Sequence, residues 1–156
     1  MVDTIQKTIL AELKNIKTGK PMDVFPVFND LAFQTVIKSI FNINIADADI
    51  DSLQHTTETT QKMLVQELRQ PFFVWWFNLS GKTKKHLDLT QNSRTILKRL
   101  VEERKQSNGD HHDLLDMLLS AKYEDGSKMD ENQLVDEILI LFAAGHETTS
   151  NALTFI

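Results

Sequence analysis

The chain of 156 residues contains no cysteine. That excludes a disulfide, a thiolate metal site and a cysteine nucleophile within it, and leaves the compartment open, because cytosolic proteins can lack cysteine too. Glycine and proline are scarce, at 5 and 3 residues, and no Gly-rich phosphate loop is present. Long apolar runs are missing as well. The longest, Ile138 to Ala144, follows Asp136 and Glu137 and falls far short of the ~18 residues that a membrane span requires. The opening stretch "MVDTIQKTILAELK" carries charges inside its apolar pattern, so it does not read as a signal peptide. Positive charge is in the minority, 17 Lys and Arg against 22 Asp and Glu, for a net charge of −5. This argues against a phosphate-binding surface as the main function, and with it against a nucleic-acid partner. The expectation is a soluble, cytoplasmic chain with no membrane segment of its own, an anchor elsewhere in a longer protein staying open.

Hydrophobic residues make up 41% of the chain, enough for a packed core. Their spacing is helical almost throughout. Ile5, Ile9, Leu13 and Ile16 form a first stripe that Gly19 and Pro21 end. Phe28, Leu31, Val36, Ile40 and Phe41 form a second, with Pro26 suited to its first turn. "INIADADID" offers aspartates as caps for a third helix over about 50–69, with Leu53, Met63, Leu64 and Leu68 on its buried side. Pro71 ends it. The aromatic cluster Phe72, Phe73, Trp75, Trp76 and Phe77 is read as core or a packing plug rather than a substrate or membrane contact. A charged helix over about 83–105 has Leu87, Ile96, Leu97, Leu100 and Val101 as its stripe. Its lysines and arginines read as a solvated face, with docking of an acidic partner as the other option. After the loop "QSNGDHHD", "DLLDMLLSA" makes a short helix, and "KYEDGSK" turns at Gly126. Asp130 caps the last helix, with Gln133 three residues on and Met129 and Leu134 placed as a staple. The pattern then runs to Ile156 without a stop, which reads as truncation. The expected class is all-α, with no linker that would divide the chain.

That last helix carries "AAGHETTS". A zinc helix needs His-Glu-x-x-His so that both imidazoles reach one metal. Here Ser150 stands where the second histidine would, so no metal ligand is assigned. A bland reading makes Ala143, Ala144 and Gly145 a close-packing patch and His146, Glu147 and the threonines a solvated stripe. A sharper one follows from the backbone. The Thr148 hydroxyl can bond back to the Ala144 carbonyl, four residues earlier, which bends helices. Gly145 opens room beside it. A small-walled notch results, with a hydroxyl at its rim and Glu147 as a proton-exchanging neighbour. Because it ends the oily run "ILILFAA", the notch is expected deep in the fold.

In this order the residues resemble the oxygen-activation motif of the cytochrome P-450 superfamily, the haem-thiolate monooxygenases: a small residue, Gly, any residue, Asp or Glu, Thr, then Thr or Ser. Ala144 to Thr149 fill all six places. "MDENQLVDEILILF", "DLLDMLLSA", "RTILKRLVEERK" and "DVFPVFNDLAFQTVIKSIFNINI" resemble the flanking helices, with Phe41-Asn42 where the family often has Phe-Gly. The resemblance covers essentially the whole chain. It implies that Thr148 is the distal hydroxyl delivering protons to dioxygen, and that Glu147 is the acid in that relay. Ala144 and Gly145 would line the groove over the haem. It also implies haem as cofactor and O₂ as co-substrate, with a small hydrophobic organic substrate. Electrons would come from a ferredoxin or a flavoprotein reductase. The axial cysteine and the Glu-x-x-Arg pair are not in the chain, and no Trp-x-x-x-Arg occurs: Leu79 follows Trp75 and Ser80 follows Trp76 at that spacing. Residues 1–156 are therefore expected to be a single incomplete domain, the helical part of that fold, inactive alone. The alternative is a non-catalytic helical binding module whose notch only packs helices.

Overall fold

A computed structural model describes residues 2–14, 16, 19, 21–42, 45–107 and 111–156. The expected loop around 108–110 and the start of the polar break at 43–44 lie outside the described residues. The described secondary structure is helical, with one isolated antiparallel bridge between Lys122 and Lys128 and, among the described residues, no strand. The all-α expectation holds. The chain forms two compact units, Met1–Asn44 with Asn108–Ile156, and Ile45–Ser107.

In the first unit α2 (Phe25–Phe41) is the hub, packed against α1 (Val2–Leu13), α6 (Leu114–Ser120) and α7 (Glu131–Thr154). Its buried residues Leu31, Ala32, Phe33, Ile37, Ile40 and Phe41 point to several sides of the helix, which is how a helix surrounded by others reads. Pro26 sits in its first turn, as the sequence suggested, and Asp23 Oδ1 accepts from the Phe25 N–H at 3.0 Å. The helix ends at Asn42, left-handed at φ 41°, whose N–H reaches the Lys38 carbonyl at 2.9 Å. This explains the Phe-Asn that stands for Phe-Gly: asparagine is the next-best residue after glycine at a left-handed cap. The Asn42 side chain donates to the His111 carbonyl at 3.1 Å. α6 starts on Asp113, whose carboxylate accepts from the Asp116 N–H at 3.0 Å. α7 starts on Asp130, which accepts from the Gln133 N–H at 2.9 Å, the cap that the sequence marks.

The second unit is built on α3 (Asp47–Arg69) and α5 (Lys82–Gln106). Three ties fix them antiparallel: Arg99 to Asp49 at 2.6 Å, Asn92 to Ser52 at 3.1 Å and Lys82 to Gln66 at 2.6 Å. Ile50, Leu53, Leu97, Leu100 and Val101 form its core. Three expectations need correcting. The N-cap of α3 is Ala46 with no side-chain bond, and Asp47 and Asp49 occupy the first turn instead, where they still favour the helix dipole. Leu64, Leu68 and Leu87 are exposed, because the stretches of α3 and α5 that meet there are polar and joined through Lys82 and Gln66. Of the aromatic cluster only Phe77 is buried, while Phe72, Phe73, Trp75 and Trp76 are exposed. They fall on a 3-10 turn (Pro71–Phe73) and the six-residue α4 (Val74–Leu79), too short a pair of elements to cover every ring. Trp75 and Trp76 meet edge to face at 5.9 Å.

Candidate functional site on helix α7

Helix α7 is laid against α2 along a stripe of every fourth residue. Leu134, Ile138, Phe142, His146 and Ser150 are all buried, with Val135 beside them. The Phe142 ring lies 5.6 Å from Phe33 and 6.4 Å from Phe41, and the His146 imidazole meets Phe33 edge-on at 5.3 Å. His146 is only 1% exposed. The reading that made it part of a solvated stripe is therefore corrected. The signal that finds it is its place four residues after Phe142 and four before Ser150.

Gly145 turns the same way. A Cβ built on it would stand 2.9 Å from Val36 Cγ2. Valine is stiff at χ1 in a helix and cannot swing aside cheaply, so Gly145 is what lets α2 approach. Gly145→Ala would add about 1 kcal/mol of helix propensity yet overpack the contact by about 1–3 kcal/mol. We expect a net loss of roughly 1 kcal/mol in urea unfolding, by the same balance. In a Val36→Ala background the same substitution should become stabilising. Equal effects in both backgrounds would show that the two side chains do not meet.

The opposite flank of α7 is open. Ile140, Ala144, Glu147, Thr148 and Thr149 are exposed, which corrects the expectation of a notch deep in the fold. The oily run "ILILFAA" buries only the residues that face α2, so the hydroxyl and the acid come out on the other side. The structure thus separates the motif. Gly145 and His146 serve packing, whereas Ala144, Glu147 and Thr148 share the open flank.

Through this part of α7, on the open flank and on the buried stripe alike, side chains bond back to the helix carbonyls. The Thr148 hydroxyl donates to the Ala144 carbonyl. Ser150 Oγ at 3.1 Å and Asn151 Nδ2 at 2.9 Å both donate to the Glu147 carbonyl, and Thr154 Oγ1 reaches the Ser150 carbonyl at 2.7 Å. α7 nonetheless continues without interruption to Thr154. Since the Thr148 proton points at Ala144, the outward lone pairs of Oγ1 are left to accept. Glu147 is the preceding residue, about 100° round the helix, so the two side chains do not face each other. Proton traffic between them requires a water.

The exposed side of this arrangement is low. Ala144 places only a methyl group on the flank and Thr148 a short polar one, which leaves room for a flat group to come close to the backbone. The chain offers no thiolate to the iron, having no cysteine. Among the described residues no helix is long and apolar enough to cross a membrane.

The sequence profile of the cytochrome P450 family matches residues 1–156. A putative cytochrome P450 138 of Mycobacterium tuberculosis is 44% identical over 96% of this chain and 34% of its own length. Cyclooctat-9-en-7-ol 5-monooxygenase of Streptomyces melanosporofaciens is 24% identical over 94% of this chain and 32% of its own length. A bifunctional cytochrome P450/NADPH–P450 reductase of Alternaria alternata is 40% identical over 40% of this chain. The chain spans about a third of the length of the first two. With its profile matched from end to end and the motif of α7 filled in all six places, the chain belongs to the cytochrome P450 family.

Proposed function

We propose that the chain is the part of a haem-dependent monooxygenase that builds the distal wall of the haem site, within one domain completed by further sequence. The observation that carries this is the Thr148 hydroxyl bonded to the Ala144 carbonyl on the open flank of α7. A haem bound there, with a cysteine thiolate from outside residues 1–156, supplies the redox chemistry by which one atom of O₂ enters a C–H bond and the other leaves as water.

What this chain contributes is placement of groups. Ala144 keeps the flank low, so that O₂ and a small hydrophobic substrate can approach. Thr148 Oγ1, its own proton committed to Ala144, accepts a hydrogen bond and fixes the orientation of the proton-bearing group that makes it. Glu147 exchanges protons with bulk water and passes them along a bridging water to that point. Gly145 acts on the groove indirectly, by setting how closely α2 supports α7. Electrons come from a redox partner, a ferredoxin or a flavoprotein reductase; the relative that names a P450 reductase within its own chain supports a reductase as the source.

Haem titrated into the 156-residue chain, reduced and exposed to carbon monoxide, should give no absorption of a thiolate-ligated haem. The chain extended by the downstream sequence of its gene should give it. A thiolate spectrum from the short chain, or none from the extended one, would overturn the reading. The second reading, a helical module whose small residues only pack helices, is favoured by the Gly145–Val36 contact. It gives no role to Thr148, and that is where the two part.

A further inference from the structure

Between α3 and α5, within the second unit, lies a cleft of about 320 Å³ lined by Lys62, Met63, Gln66, Lys82, Lys85 and His86, among others. Lys82 is held in place on two sides: its Nζ donates to Gln66 Oε1 at 2.6 Å and stands 4.9 Å from the centre of the Phe77 ring. Lys62 is exposed and only loosely tied, 3.9 Å from Glu58. His86 Nδ1 is buried and has no hydrogen-bond partner among the described residues, which is costly unless a ligand or water supplies one. The first turn of α5 holds Lys82, Lys84 and Lys85 with no acidic residue. Cations at a helix start oppose its dipole, so the chain accumulates positive potential there that nothing in that turn offsets.

We propose that this cleft binds a tetrahedral oxyanion, a phosphate or sulfate group on a small molecule, gripped by Lys82 and Lys85 with the His86 ring in the wall beside it and Lys62 closing over it. The cleft is larger than a bare ion needs, and Met63 gives it an apolar side for the body that carries the group. This site is independent of the distal wall on α7, and its test does not involve oxygen chemistry.

The imidazole gives the site a reporter. Burial first, then the charges of Lys82 and Lys85, hold His86 below its ordinary value, with Glu67 of α3 pulling weakly the other way. Lys62 of α3 also faces the cleft. Without an anion His86 is neutral at pH 7. A dianion beside it favours the imidazolium, so binding takes up a proton and strengthens as pH falls.

Sulfate is the probe, because it stays a dianion across the range. In the full chain carrying ¹³C-histidine, with His86 assigned from the His86→Gln variant, saturating sulfate should raise the His86 midpoint by about one unit. The sulfate Kd should be about tenfold lower below that midpoint than above it. Inorganic phosphate at fixed pH should compete with sulfate. Chloride at equal ionic strength should do neither. Lys82→Gln with Lys85→Gln should abolish binding while helical circular dichroism is kept, and Lys84→Gln, outside the cleft, should change Kd by no more than about twofold. A midpoint that moves equally in chloride and sulfate, or binding that survives the double substitution, would overturn the site. A lipid headgroup offers the same group. Co-sedimentation with phosphatidic acid vesicles but not phosphatidylcholine vesicles, lost in the double variant, would assign that source. No sedimentation alongside sulfate binding assigns a soluble one.

Discussion

In the whole protein, Thr148→Ala is expected to cut the product formed per electron consumed by about 100-fold, the lower end of what a positioned proton-transfer group contributes. Electron consumption itself should persist. The substitution removes the hydroxyl but leaves α7 a better helix former, so the loss cannot be laid to unfolding. Thr148→Ser can restore the bond to the Ala144 carbonyl and should stay within about threefold of the parent by the same measure. The experiment is single: product and electron donor counted together for the three proteins. If alanine and threonine give the same ratio, the hydroxyl is ornamental and the helical-module reading stands.

The second large effect concerns the contact that holds α7 in place. Phe142 is fully buried, with the rings of Phe33 and Phe41 on it. Phe142→Ala should cost about 3–5 kcal/mol, a large share of the roughly 5–15 kcal/mol by which domains are stable. The expected result is loss of the cooperative urea transition of the first unit and rapid amide exchange along α2 and α7. Phe142→Leu, closer in volume, should keep the transition with a loss of about 1.5 kcal/mol. A sharp, unshifted transition for the alanine variant would mean that α7 does not depend on α2.

How far the sequence reveals such features depends on the range of the force involved. Asp130 and Pro26 are legible because a cap and a first-turn proline act within one turn of their own residue. The order Ala144 to Thr149 is legible because the Thr148 bond to Ala144 is equally local. What covers a stripe is not local. Leu68 and Leu87 repeat at helical spacing, yet Leu68 is 73% exposed, since periodicity names a face without naming its neighbour. Gly145 reads as open space until Val36, from the far end of the sequence, is seen against it. The aromatic cluster misleads for the same reason: its composition says core, but a six-residue helix has little surface to hide it against. His146 falls between these cases. Its spacing from Phe142 and Ser150 was readable, and only its polar identity argued for the surface.

The hydroxyl of Thr148 has one further consequence. With its hydrogen turned inward to Ala144, it presents a single electrical sign to whatever arrives beside it. If the proposed distal wall is right, guests bearing an O–H or N–H would be welcomed there, while carbonyls, nitriles and ethers would meet repulsion between lone pairs. A discrimination among visiting molecules by polarity, usually credited to a whole pocket, would here follow from the setting of one side-chain torsion.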